Sequence, residues 1–185
     1  MVRRFSEWLL GVSTGPVALL ALVAFLVFAV LVLPGQSRSA AETAGGAGSP
    51  DTYFYYGPAA LYGWAEAYGA EGRQAYIRAR FTFDLVFPLF YTAFLSTALS
   101  WSLWMTAPRR SGWRRANLLP FVGALFDYLE NVSDALVMAR YPARTPVIDL
   151  LAGLLTAVKW LCLGAAFLVL LAALLAAFRK QLRRW

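Results

Sequence analysis

Residues 117–139 read NLLPFVGALFDYLENVSDALVMA. Asp127, Glu130, Asn131 and Asp134 stand three and four residues apart, so a helix carries them on one stripe, together with Gly123 and Met138, on a segment that is otherwise lipid-compatible. About ten apolar side chains at roughly −0.3 to −0.6 kcal/mol each do not offset three acids at up to about +3 kcal/mol each near a bilayer centre. Alone, this segment inserts poorly. It must turn its acidic stripe toward other helices or toward a water-filled cavity.

The surrounding sequence supplies the other helices. Of 185 residues, 60% are hydrophobic and 15% charged, and the mean hydropathy is +0.57, outside the usual range of soluble domains. The expected fold is all-α: a polytopic membrane protein, a single membrane domain built as a four-transmembrane-helix bundle with spans at about 14–34, 83–107, 117–139 and 147–178. Val17 to Leu33 is wholly apolar, and Pro34-Gly35 predicts the end of the first span. Arg3 and Arg4 before this span and small residues at Ser39 to Ala41 after it leave a cleaved signal peptide open as the competing reading.

Residues 35–82 are expected to form an extracytoplasmic loop, in which the Gly- and Ala-rich stretch 35–52 is a flexible linker. From Tyr53 the composition turns aromatic. Pro58 to Tyr68 then predicts a short interfacial helix ending at Gly69, held at the membrane-water boundary by Tyr53, Phe54, Tyr55, Tyr56, Tyr62, Trp64 and Tyr68, or serving as a lid over an outward-facing cavity. Arg3 and Arg4, the Arg109, Arg110, Arg114, Arg115 cluster, and Arg179, Lys180, Arg183 and Arg184 place both termini in the cytoplasm of a multi-pass cell-membrane protein. The net charge of +7 therefore reads as topology and attraction to anionic lipid headgroups, not as nucleic-acid binding.

Two further stripes face the acids. Lys159 is the lone charge between Leu150 and Phe178 and shares a face with Asp149, Ala152 and Thr156. At a rise of about 1.5 Å per residue it lies roughly 18 Å from the outer end of its span, and Asp127 roughly 13 Å from the inner end of its own, so in a slab of about 30 Å the two levels nearly coincide. This predicts a middle tier in which Lys159 pairs with Asp127 or Glu130, with hydrogen bonds from Asn131 and Thr156. On the second span, whose helix is expected to begin near Glu71, Arg73, Arg80, Asp84, Tyr91 and Ser102 occupy one sector, and Arg80 and Asp84 form an i, i+4 pair. Pro88 leaves the carbonyl of Asp84 without its helical donor. Asp84 matches Asp134 and Arg140 in depth, which predicts an outer tier.

Asp84, Asp127, Glu130 and Asp134 outnumber the cations best placed to meet them, Arg80 and Lys159. Either Arg78 and Arg140 turn inward, or water enters, or the cluster carries a proton shared by Asp127 and Glu130. These two are the candidate catalytic residues, since a protonated acid beside an ionised one serves general acid and base chemistry as well as proton-coupled transport. With no histidine, imidazole-held metals, haem and His-based triads are excluded, and no metal spacing, phosphate cradle, nucleophile elbow or other cofactor motif is present.

Gly72-Arg73, Tyr76, Asp84, Phe87-Pro88, Tyr91, Asp127, Glu130-Asn131 and Tyr141-Pro142 together resemble a group of uncharacterised bacterial four-helix integral membrane proteins, over roughly Tyr53 to Pro142. That resemblance implies a fold and no activity. A fainter likeness is to the four-helix sterol-isomerase and sigma-2-receptor family, which holds carboxylates in a membrane cavity; the missing histidine separates this chain from its isomerases. The expected function is a charged intramembrane cavity binding a small or amphipathic ligand through Arg80, Asp84, Tyr91, Asp127, Glu130, Asn131, Asp134 and Lys159, with membrane lipids and a further copy of the chain as expected partners. A lipid-modifying enzyme, a proton-coupled carrier and a structural or accessory subunit stay open beside it.

Overall fold

The computed structural model describes residues 1–44 and 46–183. Gly45, in the expected linker, and Arg184, in the basic tail, lie outside the described residues. The protein is all-α and 85% helical, with no strand among the described residues. Its helices are α1 (Val2–Val12), α2 (Gly15–Ala44), α3 (Pro58–Ala67), α4 (Gly69–Arg80), α5 (Phe83–Thr106), α6 (Leu119–Arg140) and α7 (Ile148–Leu182), with 3-10 turns at Pro50–Thr52 and Gly112–Leu118. Three stretches are long and apolar enough to cross a membrane: Gly15–Glu42, Gly69–Thr106 and Ile148–Leu182. Helix α6 is not among them, since any crossing segment of it includes Asp127, Glu130 and Asp134.

Three boundaries differ from the sequence reading. Pro34-Gly35 does not stop the first long helix, which runs on to Ala44, so half of the expected linker is helical. A proline removes one backbone donor, and an otherwise regular helix continues through it. The remainder of the linker is pinned by side chains: Trp64 Nε1 donates to the Ala47 carbonyl at 2.9 Å and the Tyr68 hydroxyl to that of Gly48 at 2.7 Å. Residues before Val12 form a separate helix, α1, which the sequence reading did not resolve from the first span.

Contacts divide the chain into two units, one of residues 1–27, 89–123 and 161–185, the other of 28–88 and 124–160. In the first, Asn117 is fully buried and ties three elements together: Ser6 donates to its Oδ1 at 2.8 Å, while its Nδ2 reaches the Ser6 carbonyl at 3.1 Å and Ser100 Oγ at 3.0 Å. Gly123 packs against Leu163 and Gly15 against the Trp101 ring, each close enough that an added Cβ would press on the neighbour.

The second unit is built around aromatics. Leu61, Tyr62, Trp64, Ala65 and Tyr68 turn one face of α3 into a core with Tyr56, Tyr76, Val137, Met138 and Ala152. The expected aromatic anchor is thus divided: Tyr53, Phe54 and Tyr55 are exposed, whereas Tyr56, Tyr62, Trp64 and Tyr68 are core residues. Each buried ring with a polar tip finds a partner, as Tyr62 does with Thr145, whose backbone N–H donates to its oxygen at 2.6 Å. Gly69 turns the chain from α3 into α4 at φ 62°, where a side chain is disfavoured.

Gly153 on α7 faces the Tyr56 carbonyl, which a Cβ would strike. We predict that Gly153→Ala lifts the 53–56 segment off α7 and destabilises the protein by about 1–3 kcal/mol, the range for overpacking. Thermal unfolding in detergent measures this, and an unchanged melting temperature would refute it.

Candidate functional site

The acidic stripe of α6 is turned inward. Glu130 and Asp134 have no exposed surface, and Asp127 and Asn131 are buried, while Leu125, Leu129, Val132 and Leu136 on the other side are exposed. This is the reverse of a water-soluble helix, and it is the arrangement that hydrocarbon solvent favours. On α7 the stripe Asp149, Ala152, Thr156 and Lys159 is buried in the same way.

Three polar groups result, all within the second unit. In one, Lys159 Nζ lies 2.5 Å from Glu130 Oε2 and 3.4 Å from Asp127 Oδ1, so both candidate catalytic carboxyls address one ammonium. In the next, Arg80 forms a hub: Nη1 donates to Asp51 at 2.6 Å and to Asn131 Oδ1 at 3.2 Å, and Nε pairs with Asp84 at 2.9 Å. Its guanidinium also lies over the Tyr76 ring, 4.5 Å from the centroid. In the third, Asp134 accepts from the Tyr56 hydroxyl at 2.8 Å and the Tyr76 hydroxyl at 2.9 Å. Two buried atoms, Glu130 Oε1 and Asn131 Nδ2, have no hydrogen-bond partner among the described residues.

The sequence-derived residues fall as follows. Arg80, Asp84, Asp127, Glu130, Asn131, Asp134 and Lys159 belong to this unit and its three groups. Tyr91 is buried and lies in the other unit. Asn131 serves Arg80 and not Lys159, and Thr156 turns back to its own helix, donating to the Ala152 carbonyl at 3.0 Å. Asp134 meets two phenols instead of Arg140, which is exposed, as is Arg78. Neither arginine balances the cluster.

Sequence reasoning missed Asp51, Tyr56 and Tyr76. Tyr76 stands four residues before Arg80, on the stripe already recognised, and was legible there. Asp51 lies in the three-residue 3-10 turn Pro50–Thr52 and Tyr56 in irregular chain, and neither is long enough for periodicity to give a direction. Burial raises the Asp51 carboxyl, but the charge and hydrogen bond of Arg80 outweigh it and hold the group below the ordinary carboxylate range. Burial also pushes the Tyr68 hydroxyl up to about 12 and raises that of Tyr56, aided by Asp134, so both remain neutral donors. Among the described residues these three groups thus hold five carboxyls and two cations. No group of three or more acids and cysteines among the described residues is arranged to hold a metal ion. Comparison of the chain with protein-family models, with curated proteins and with solved structures returns no match in any of the three.

Two predictions follow from this geometry. Lys159→Met alone strands two buried carboxylates and is expected to cost roughly 3–5 kcal/mol, whereas the triple change Asp127→Asn, Glu130→Gln, Lys159→Met recovers most of it; equal melting temperatures for the single and triple variants would contradict the pairing. Asp51 has a depressed folded value, so its hold on Arg80 is complete above its unfolded value, about pH 4, and is lost as pH falls through the folded one. Emission from Trp64 against pH is expected to report that release in the wild type, and Asp51→Asn to remove the transition.

Proposed function

We propose that the chain is a four-span protein of the cell membrane, with both termini cytoplasmic and α3 on the extracytoplasmic side, that binds a small polar or amphipathic ligand at the carboxyl cluster. The fourth span is α6, whose apolar exposed side and charged buried side suit a helix that meets lipid with one and neighbouring helices with the other. The basic connections and tails support the orientation.

One observation carries the binding reading. Helix registry asks only for matched charges, yet among the described residues the three polar groups hold five carboxyls, Asp51, Asp84, Asp127, Glu130 and Asp134, against two cations, Arg80 and Lys159, and Glu130 Oε1 and Asn131 Nδ2 are buried without a hydrogen-bond partner. A bound group offering both a donor and an acceptor would complete them. Access runs through the segment 50–56, because Asp51 and Tyr56 close the cluster through one ion pair to Arg80 and one hydrogen bond to Asp134, which can open without unfolding a helix. Asp127 and Glu130 are its proton-active pair in this reading.

A specific observation favours a second reading, in which the cluster is a structural clamp of an accessory subunit: Glu130 is sealed and Lys159 is only 5% exposed. The same sealing weighs against a lipid-modifying enzyme, whose acid and base must meet a substrate. Native mass spectrometry of the protein extracted in mild detergent distinguishes the two. The binding reading expects a small bound species on the wild type that is lost from Glu130→Gln and Asn131→Ala, each of which still unfolds cooperatively although at a lower melting temperature. Wild type and variants that all carry only the mass of their own chain would leave the clamp.

A further inference from the structure

Charge is divided unequally between the two units. Among the described residues the first carries nine arginines and lysines and a single acid, Glu7, which is already held by Arg3 at 2.8 Å; the second carries seven cations and nine acids. Within the first unit, α1 is too short to cross a membrane, about 16 Å at 1.5 Å per residue. One side of it, Ser6, Leu9 and Leu10, is buried, and Ser6 is fastened to Asn117. Its other side exposes Phe5, Trp8 and Val12, three and four residues apart, with Phe5 stacked on Trp8 and edge-on to Phe121. Water would not favour that face.

Beside it, the 3-10 turn Gly112–Leu118 exposes the Trp113 ring and lines a shallow groove of about 470 Å³ with Gly112, Trp113, Arg115, Ala116 and Leu119. Arg114 is engaged, donating to the Ala107 carbonyl at 3.1 Å, but Arg115 and the neighbouring Arg109 and Arg110 are exposed. An apolar floor, an indole at the rim and guanidinium groups above them make one surface with two chemistries. The first suits acyl chains, and the second a phosphate oxygen.

We propose that α1 and the Gly112–Leu118 turn form a binding surface for an anionic phospholipid, its phosphate taken by Arg115 with Arg109 or Arg110 and its chains lying along Leu119, Trp113 and the exposed face of α1. Charge complementarity selects this occupant over a neutral lipid or a second copy of the chain, whose matching surface would bring the same cations together. The surface is independent of the carboxyl cluster, so each stands or falls alone.

Full-length protein in nanodiscs of phosphatidylcholine, with or without phosphatidylglycerol, tests it by thermal unfolding and by counting lipids retained after transfer to detergent. The wild type is expected to retain phosphatidylglycerol preferentially and to melt higher in its presence, while phosphatidylcholine alone or inorganic phosphate has no such effect. Arg110→Gln with Arg115→Gln lowers retention by about fivefold for each arginine, and Trp113→Ala lowers it further. A control with equal charge loss in the other unit, Arg78→Gln with Arg140→Gln, both exposed, keeps retention. Equal loss in the control and in the turn variants, or retention of phosphatidylcholine as strong as of phosphatidylglycerol, would overturn the proposal in favour of diffuse attraction or none.

Discussion

The Lys159 ammonium, placed between the carboxylates of Glu130 and Asp127, is the contact on which the second unit turns. A cation removed from water needs a counter-charge at short range, because its desolvation amounts to several kcal/mol that only close pairing offsets. The acids on α6 are bound by the same demand. The two requirements cancel only when α6 and α7 present those faces to one another in one register, with each apolar back left outward. Leu129 and Val132 on one helix and Leu154 and Trp160 on the other are accordingly exposed.

Around that pair the polar groups are graded by the kind of partner each finds. Arg80, with five donors in a planar fork, gathers two carboxylates and an amide. Asp134 is satisfied by two neutral hydroxyls, which lower the cost of burying a carboxyl group without adding charge. Asp51 and Tyr56 belong to the irregular segment between α2 and α3, so two of the contacts that close the cluster come from the part of the unit with least regular structure. A binding site needs this combination: a rigid set of charges on long helices, and a cover whose displacement breaks few bonds.

The first unit follows a different logic. Its buried polar residues are neutral, and three of them, Ser6, Ser100 and Asn117, form one hydrogen-bonded group. One unit has charge inside and apolar residues outside, while the other adds a cationic exterior beside exposed aromatic rings.

Helical class, the identity of the long apolar helices and the inward turn of Asp127, Glu130, Asn131 and Asp134 were legible in the sequence, because periodicity gives direction and transfer free energy says which face must hide. The Lys159 pairing was legible too, since a rise per residue converts position into depth. What tertiary structure alone decided was everything supplied by irregular or short segments: Asp51 on Arg80, Tyr56 on Asp134, the burial of Tyr62, Trp64 and Tyr68, and α1 as a separate helix. An aromatic residue suits a membrane boundary and a protein core equally well, and an aspartate in a loop has no periodicity to aim it. For such residues the partner is chosen by packing between distant parts of the chain, which no local pattern encodes.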